Sequence, residues 1–254
     1  MGYEARLELR DAAGARWRGA AAPGFEGARD VFEALLAAPE LDLARGAGPG
    51  PELTLPPAVR LEVFPPRGGW WPRPSPARQA HLLTHQVRAF GVAVSRPLAW
   101  LEAARAPGTK ASFRLVAAEP ETTLGQWWAL RLLALREADR AAYVAEKRRC
   151  IHQLAVLLRT LEAEGYHCHR LTPATFGVAE DHVVLREVGA LSAAGRRSDG
   201  SDAALAELLR DLLELGGLTR GDRMRFARVL EAHRPGPAAA ARARWARVAA
   251  LEPG

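Results

Sequence analysis

Lysine is almost missing from this chain of 254 residues: Lys110 and Lys147 are the only two among 35 basic side chains. Any role that needs a lysine therefore has two candidates, and the remaining cation chemistry rests on arginine. Cysteine is equally scarce. Cys150 and Cys168 cannot make a disulfide framework, so a reducing cytoplasm is the expected compartment. No apolar run approaches the roughly 18 residues of a membrane span. Met1–Arg10 alternates charged and apolar residues and lacks the apolar core of a secretory signal. No Gly-x-Ser-x-Gly string marks a nucleophile elbow. What the chain does have is abundant Ala and Arg, the bias of a GC-rich bacterial genome. Its 48% hydrophobic and 25% charged residues exclude wholesale disorder and supply a sizeable core.

The net charge of +6 is unevenly spread. Residues 1–217 carry 27 basic against 26 acidic side chains, while residues 218–254 hold 8 arginines against 3 acids. Such a stretch either solvates a helix face or attracts phosphates or an anionic membrane. Nucleic acid is not the expected partner, because no recognised binding motif accompanies it.

The first 120 residues read as strands and turns. Glu4–Leu9 alternates with period two, Asp11–Gly14 is a turn, and Ala15–Gly19 is a returning strand. Ala28–Leu36 forms a short helix, Val59–Phe64 a strand stopped by Pro65–Pro66, and Ala77–Phe90 a helix ended by Gly91. Val92–Trp100 and Ser112–Ala118 are strand-like. From residue 121 the period becomes helical: Thr123–Leu135, Tyr143–Glu164, Ala203–Leu215, Thr219–Leu230 and Ala239–Ala250, with a short strand at Val183–Arg186. Thr219-x-x-Asp222 is a capping box. The pattern predicts an α+β chain in two parts, 1–120 and 121–254.

Three segments carry a family resemblance. Gly165-Tyr166-His167-Cys168-His169-Arg170-Leu171-Thr172-Pro173-Ala174-Thr175-Phe176, after a long helix, resembles a protein-kinase catalytic loop. Val184-Leu185-Arg186-Glu187-Val188-Gly189-Ala190 resembles the metal-binding segment that ends in Asp-Phe-Gly. Leu218-Thr219-Arg220-Gly221-Asp222-Arg223-Met224-Arg225-Phe226-Ala227-Arg228 resembles the C-terminal Leu-Ser-x-x-Asp-Arg-Leu-Arg-Phe-Leu-Arg segment of bacterial lipopolysaccharide-core kinases, which phosphorylate Kdo or heptose sugars. Arg114-Leu115-Val116 through Trp127 is similar to their hinge. The resemblance spans roughly residues 58–230 and implies a bilobal protein-kinase-like fold, with a small β-rich N-lobe (1–120) and a helical C-lobe (121–254).

Against that pattern the chemistry is depleted. Phosphoryl transfer is mainly positioning and charge neutralisation, by a catalytic Asp, metal-binding Asn and Asp, and a strand Lys paired with a helix Glu. By the resemblance, Arg170 stands at the catalytic Asp and Thr175 at the Asn; shifting the register by one puts Leu171 at the Asp. Either way, no acid lies between Gly165 and Ala179. Glu187 falls at the metal-binding Asp and is the candidate Mg²⁺ ligand. Glu62 falls near the strand lysine, and Ala80 at the helix Glu. The expectation is a pseudokinase that binds a nucleotide, a sugar-phosphate lipid or a partner protein, in the cytoplasm or peripherally at the inner membrane. The alternative is an active ATP- and Mg²⁺-dependent kinase with Glu187 as metal ligand and Glu180 or Asp181 as base. Cys150, His152, His167, Cys168 and His169 resemble a zinc set in composition but not in spacing. Trp70–Trp71 and Trp127–Trp128 are candidates for sugar stacking or for the core.

Overall fold

The computed structural model describes residues 5–37, 54–55, 59–66, 74–104, 111–118, 122–179, 182–193 and 199–251. The chain divides into two compact units. The first comprises residues 1–86 and 95–119; the second comprises residues 87–94 and 120–254.

The first unit is built on one antiparallel sheet. Its strands are β1 (Ala5–Arg10), β2 (Arg16–Ala21), β3 (Thr54–Leu55), β4 (Val59–Phe64), β5 (Pro97–Ala103) and β6 (Ser112–Ala117). They lie in the order β1-β2-β5-β6-β4-β3. Alternation along the strands separates two faces of unlike chemistry. Leu61, Leu101, Phe113 and Leu115 share one face, where they join Phe32 of α1 (Ala28–Ala37) in the apolar core. The residues between them, Arg60, Glu62, Trp100, Glu102 and Arg114, share the other. Helix α2 (Pro76–Ala89) bonds to that second face: Glu102 accepts from the Ser75 amide at 2.9 Å, and Ser112 Oγ from the Ala77 amide at 3.3 Å. Both bonds satisfy amides at the start of the helix, where no intrahelical acceptor exists.

The expected strand Val92–Trp100 is displaced to Pro97–Ala103. The cause is local: Leu185 donates to the Ala93 carbonyl at 2.9 Å and Val94 bridges Leu185, so this segment spends its backbone groups within the second unit.

In the second unit a continuous helical stretch runs from α3 (Leu124–Gln126) through a π-helical turn, Trp127–Leu132, into α4 (Leu133–Ala138). Thr123, the first residue of the expected Thr123–Leu135 helix, caps this stretch, and Gln126 completes the box. Helix α5 (Arg140–Ala163) is capped by Asp139, whose carboxylate accepts from the Ala141 and Ala142 amides. It stops at Gly165, which adopts the left-handed φ of +77° that a side chain would resist. Four short strands follow: β7 (Tyr166–Cys168), β8 (Phe176–Ala179), β9 (His182–Leu185) and β10 (Leu191–Ala193), paired β7 with β10 and β8 with β9. Helices α6 (Asp199–Glu214), α7 (Arg220–Leu230) and α8 (Pro237–Ala250) complete the unit. The Thr219–Asp222 capping box forms as expected. Among the described residues no helix is long and apolar enough to cross a membrane.

Candidate functional site

Glu62 lies on β4 directly opposite Arg114 on β6, so the two side chains emerge from the same sheet face. Arg114 is 1% exposed. Its Nε and Nη2 reach Glu62 Oε2 at 2.8 and 2.6 Å, and its Nη1 donates to the Ala80 carbonyl and to Thr84 Oγ1, each at 2.8 Å. Arg60 Nη2 holds the other Glu62 oxygen at 2.9 Å. Burial pulls the Arg114 guanidinium below the usual arginine range, and the Glu62 carboxylate opposes that pull. Where the resemblance implies a strand lysine and a helix glutamate, this chain has a strand carboxylate and an arginine that grips the helix backbone, at the Ala80 carbonyl itself. Most of the Arg114 donors are spent, and the group is out of reach of solvent.

Of the two lysines, Lys110 lies outside the described residues. Lys147 is buried in α5, where its ammonium pairs with Asp222 at 2.8 Å and donates to the Gly217 carbonyl at 2.9 Å. Tyr143 Oη donates to the same carbonyl and Trp128 Nε1 to that of Gly216. Gly217 has φ +84°, and a Cβ there would stand 2.7 Å from the Tyr143 hydroxyl. Burial alone would raise the Asp222 carboxyl, but hydrogen bonds from Lys147 and Thr219 outweigh it and hold the group below the ordinary range. The Asp of the C-terminal signature thus fixes α7 to α5.

In the second unit the loop resembling a catalytic loop is pinned at both ends. The His169 amide donates to the Ala190 carbonyl at 3.0 Å, and Cys168 and Leu171 are buried on either side of the turn. Thr172 and Thr175 form a reciprocal box around Pro173–Thr175, a single 3₁₀ turn. Thr175 is 2% exposed, and its hydroxyl accepts from the Thr172 amide at 3.1 Å. Its carbonyl accepts from both Arg186 at 2.9 Å and Glu187 at 3.3 Å. This double acceptance brings the loop and the Glu187 segment together. Glu187 is half-buried; Arg170 is exposed and pairs with no described residue. Glu180 and Asp181 lie outside the described residues, as do Trp70 and Trp71.

Trp127 and Trp128 are buried, at 4% and 1% exposure, so both rings belong to packing. Cys150 and Cys168 are buried too, and burial pushes each thiol up to about 12. Among the described residues no three His, Cys, Asp or Glu side chains group as metal ligands.

The C-terminal arginines are mostly committed. Arg244 is 4% exposed and meets Glu162 at 2.6 Å, Glu231 at 2.9 Å and Asp202 at 2.9 Å. Arg247 pairs with Asp202, Arg234 with Glu231, Arg225 with Asp222, and Arg223 lies over the Trp245 ring. Arg220, Arg228 and Arg242 remain exposed.

Sequence reasoning missed Arg114 as the partner of Glu62. The available signal was a lone arginine between Phe113 and Leu115, inside an otherwise apolar strand. An isolated charge at a buried strand position demands a counter-charge on the same face.

No protein-family model and no curated protein matches the chain. Among solved structures it is similar to WaaP in complex with acyl carrier protein, at 17% identity and a TM-score of 0.51, over 100% of this chain and 90% of that one. Slighter similarity extends to a glucosamine kinase (14% identity, TM-score 0.40, 98% and 79% covered) and to a Toxoplasma gondii rhoptry antigen kinase domain (13%, 0.40, 97% and 79%). The chain has an α+β fold of the protein-kinase class.

Proposed function

We propose that this chain is a pseudokinase of the lipopolysaccharide-core kinase kind, acting by holding a ligand or partner. The observation that carries the reading is the Glu62–Arg114 pair. A carboxylate replaces the cation expected to meet phosphates, and the arginine that neutralises it is buried against α2. With its carboxylate already engaged by Arg60 and Arg114, this strand position supplies no cation of its own to a nucleotide phosphate, where a lysine would attract it.

The second-unit residues support the same reading. Mg²⁺ in phosphoryl-transfer sites takes one or two carboxylates plus substrate oxygens. Glu187 supplies one carboxylate, and the Thr175 hydroxyl is already engaged with Thr172. One carboxylate and a committed hydroxyl make a poorer set for a magnesium nucleotide than the two metal-binding side chains that the resemblance implies. No carboxylate between Gly165 and Ala179 can take a proton from an acceptor hydroxyl. WaaP was solved in complex with acyl carrier protein, which makes that protein the first partner to test.

Two measurements decide between this reading and an active sugar kinase. Thermal stability is followed with and without millimolar ATP and Mg²⁺, and phosphate transfer to Kdo- and heptose-containing acceptors is assayed. We expect no turnover. Magnesium-dependent transfer that disappears in Glu187→Ala would overturn the reading and establish the ATP-dependent kinase.

A further inference from the structure

Arg170 is an exposed cation on a fixed loop, and it pairs with none of the described residues. We propose that it anchors a phosphate-binding site, in which the loop of residues 168–176 takes the phosphate group of a phosphorylated sugar or nucleotide. The proposal rests on the binding reading above and names the chemical class of the ligand.

Charge and preorganisation suit this loop to an anion. Among the exposed arginines of the second unit, Arg225, Arg234 and Arg247 lie against a carboxylate, while Arg131, Arg140, Arg220 and Arg228, like Arg170, pair with no described residue. Arg170 makes no ion pair or hydrogen bond with any described residue, and the stretch Gly165–Ala179 contains no acid to cancel its field. Exposed arginines also stand unpaired on helices, as Arg242 does on α8, but Arg170 differs in its setting. The backbone on one side of it is held through His169 to Ala190, and on the other through Thr172 and Thr175, while Leu171 next to it is buried. The loop is thus ordered before any ligand arrives, and binding costs little beyond the rotamer freedom of one side chain. A planar guanidinium meets phosphate through two parallel N–H donors, which suits a group that can bind an anion and cannot act as a base.

The test is isothermal titration of the full chain in magnesium-free buffer, with inorganic phosphate, a hexose phosphate and ADP as probes and the free hexose as neutral control. We expect saturable binding of the phosphate-bearing probes, none of the hexose, and weakening as salt rises. Arg170→Gln should lower affinity at least tenfold, Arg170→Lys should keep part of it, and Arg242→Gln should change nothing. The tighter of hexose phosphate and ADP identifies the source of the phosphate. Wild-type protein that binds no phosphate at millimolar concentration, or an Arg170→Gln variant that binds as wild type, overturns the proposal. Arg170 is exposed, so equal melting temperatures of variant and wild type serve as the folding control. ATP turnover would sink the pseudokinase reading and leave this titration informative; loss of phosphate binding without turnover would sink only the site.

Discussion

Arg114 and Arg244 are both buried, and the chain neutralises them in opposite ways. Arg114, in the first unit, has one carboxylate, shared with Arg60, and spends its remaining donors on a helix carbonyl and a hydroxyl. Burial dominates, and its pKa falls. Arg244, in the second unit, has Glu162, Glu231 and Asp202 around it, and these outweigh burial and raise its pKa. The first arrangement positions a helix against a sheet face; the second ties together α5, α6, α7 and α8. The lesson is that a buried arginine surrounded by carboxylates is an architectural rivet. One shared between a single carboxylate, a hydroxyl and a helix carbonyl docks a helix on a sheet.

Removing each arginine should separate the two cases. Arg244→Leu leaves three carboxylates facing one another, and the expected loss is about 3–5 kcal/mol. In a thermal melt that amounts to a drop on the order of 10 °C. Arg114→Met leaves Glu62 with Arg60 as its partner and should cost about 2–3 kcal/mol by denaturant unfolding, the value of buried groups left unsatisfied. The double variant Glu62→Leu/Arg114→Met should recover part of that, because a packed apolar pair can match a buried ion pair while Arg60 loses one carboxylate. If the double variant is no better than the single, the pair is not acting as a unit.

The acid limb of stability sharpens the comparison further. Glu162 and Asp222 are held below the ordinary carboxylate range, in both cases by bonds that overcome burial. Their contribution is complete above the unfolded carboxylate values, roughly pH 4, and is lost as pH falls through the lower folded values. Wild-type protein should therefore lose stability below that pH, and Arg244→Leu should show a shallower acid dependence because Glu162 no longer has its partner. The smallest effect belongs to the cap. Thr219→Ala should cost about 1 kcal/mol, read as a reduced denaturant midpoint.

Much of the fold was legible because it is written in short-range chemistry. Period-two alternation in Glu4–Leu9 and Val59–Phe64, the Thr123 and Thr219 caps and the glycine stop at Gly165 each act within a few residues. The strands β7, β8 and β10 were not legible: three or four residues long, they show no alternation, and β7 finds its partner more than twenty positions away. The site divides the same way. The scarcity of lysine was visible in composition alone, whereas the pairing of Glu62 with Arg114 depends on strand register, which no local pattern records. The burial of Arg244 was hidden for the same reason, since its partners come from three other helices.

The two thiols carry a practical consequence. With Cys150 and Cys168 buried and their thiols pushed up by burial, the folded chain is expected to be slow toward alkylating reagents. A cysteine placed at Ala174, exposed on the loop beside Thr175, would then be the reactive thiol of the native protein. A dye there would report ligand arrival without first stripping the natural cysteines. In the untouched chain, the moment Cys150 and Cys168 begin to react would time the opening of the second unit's core.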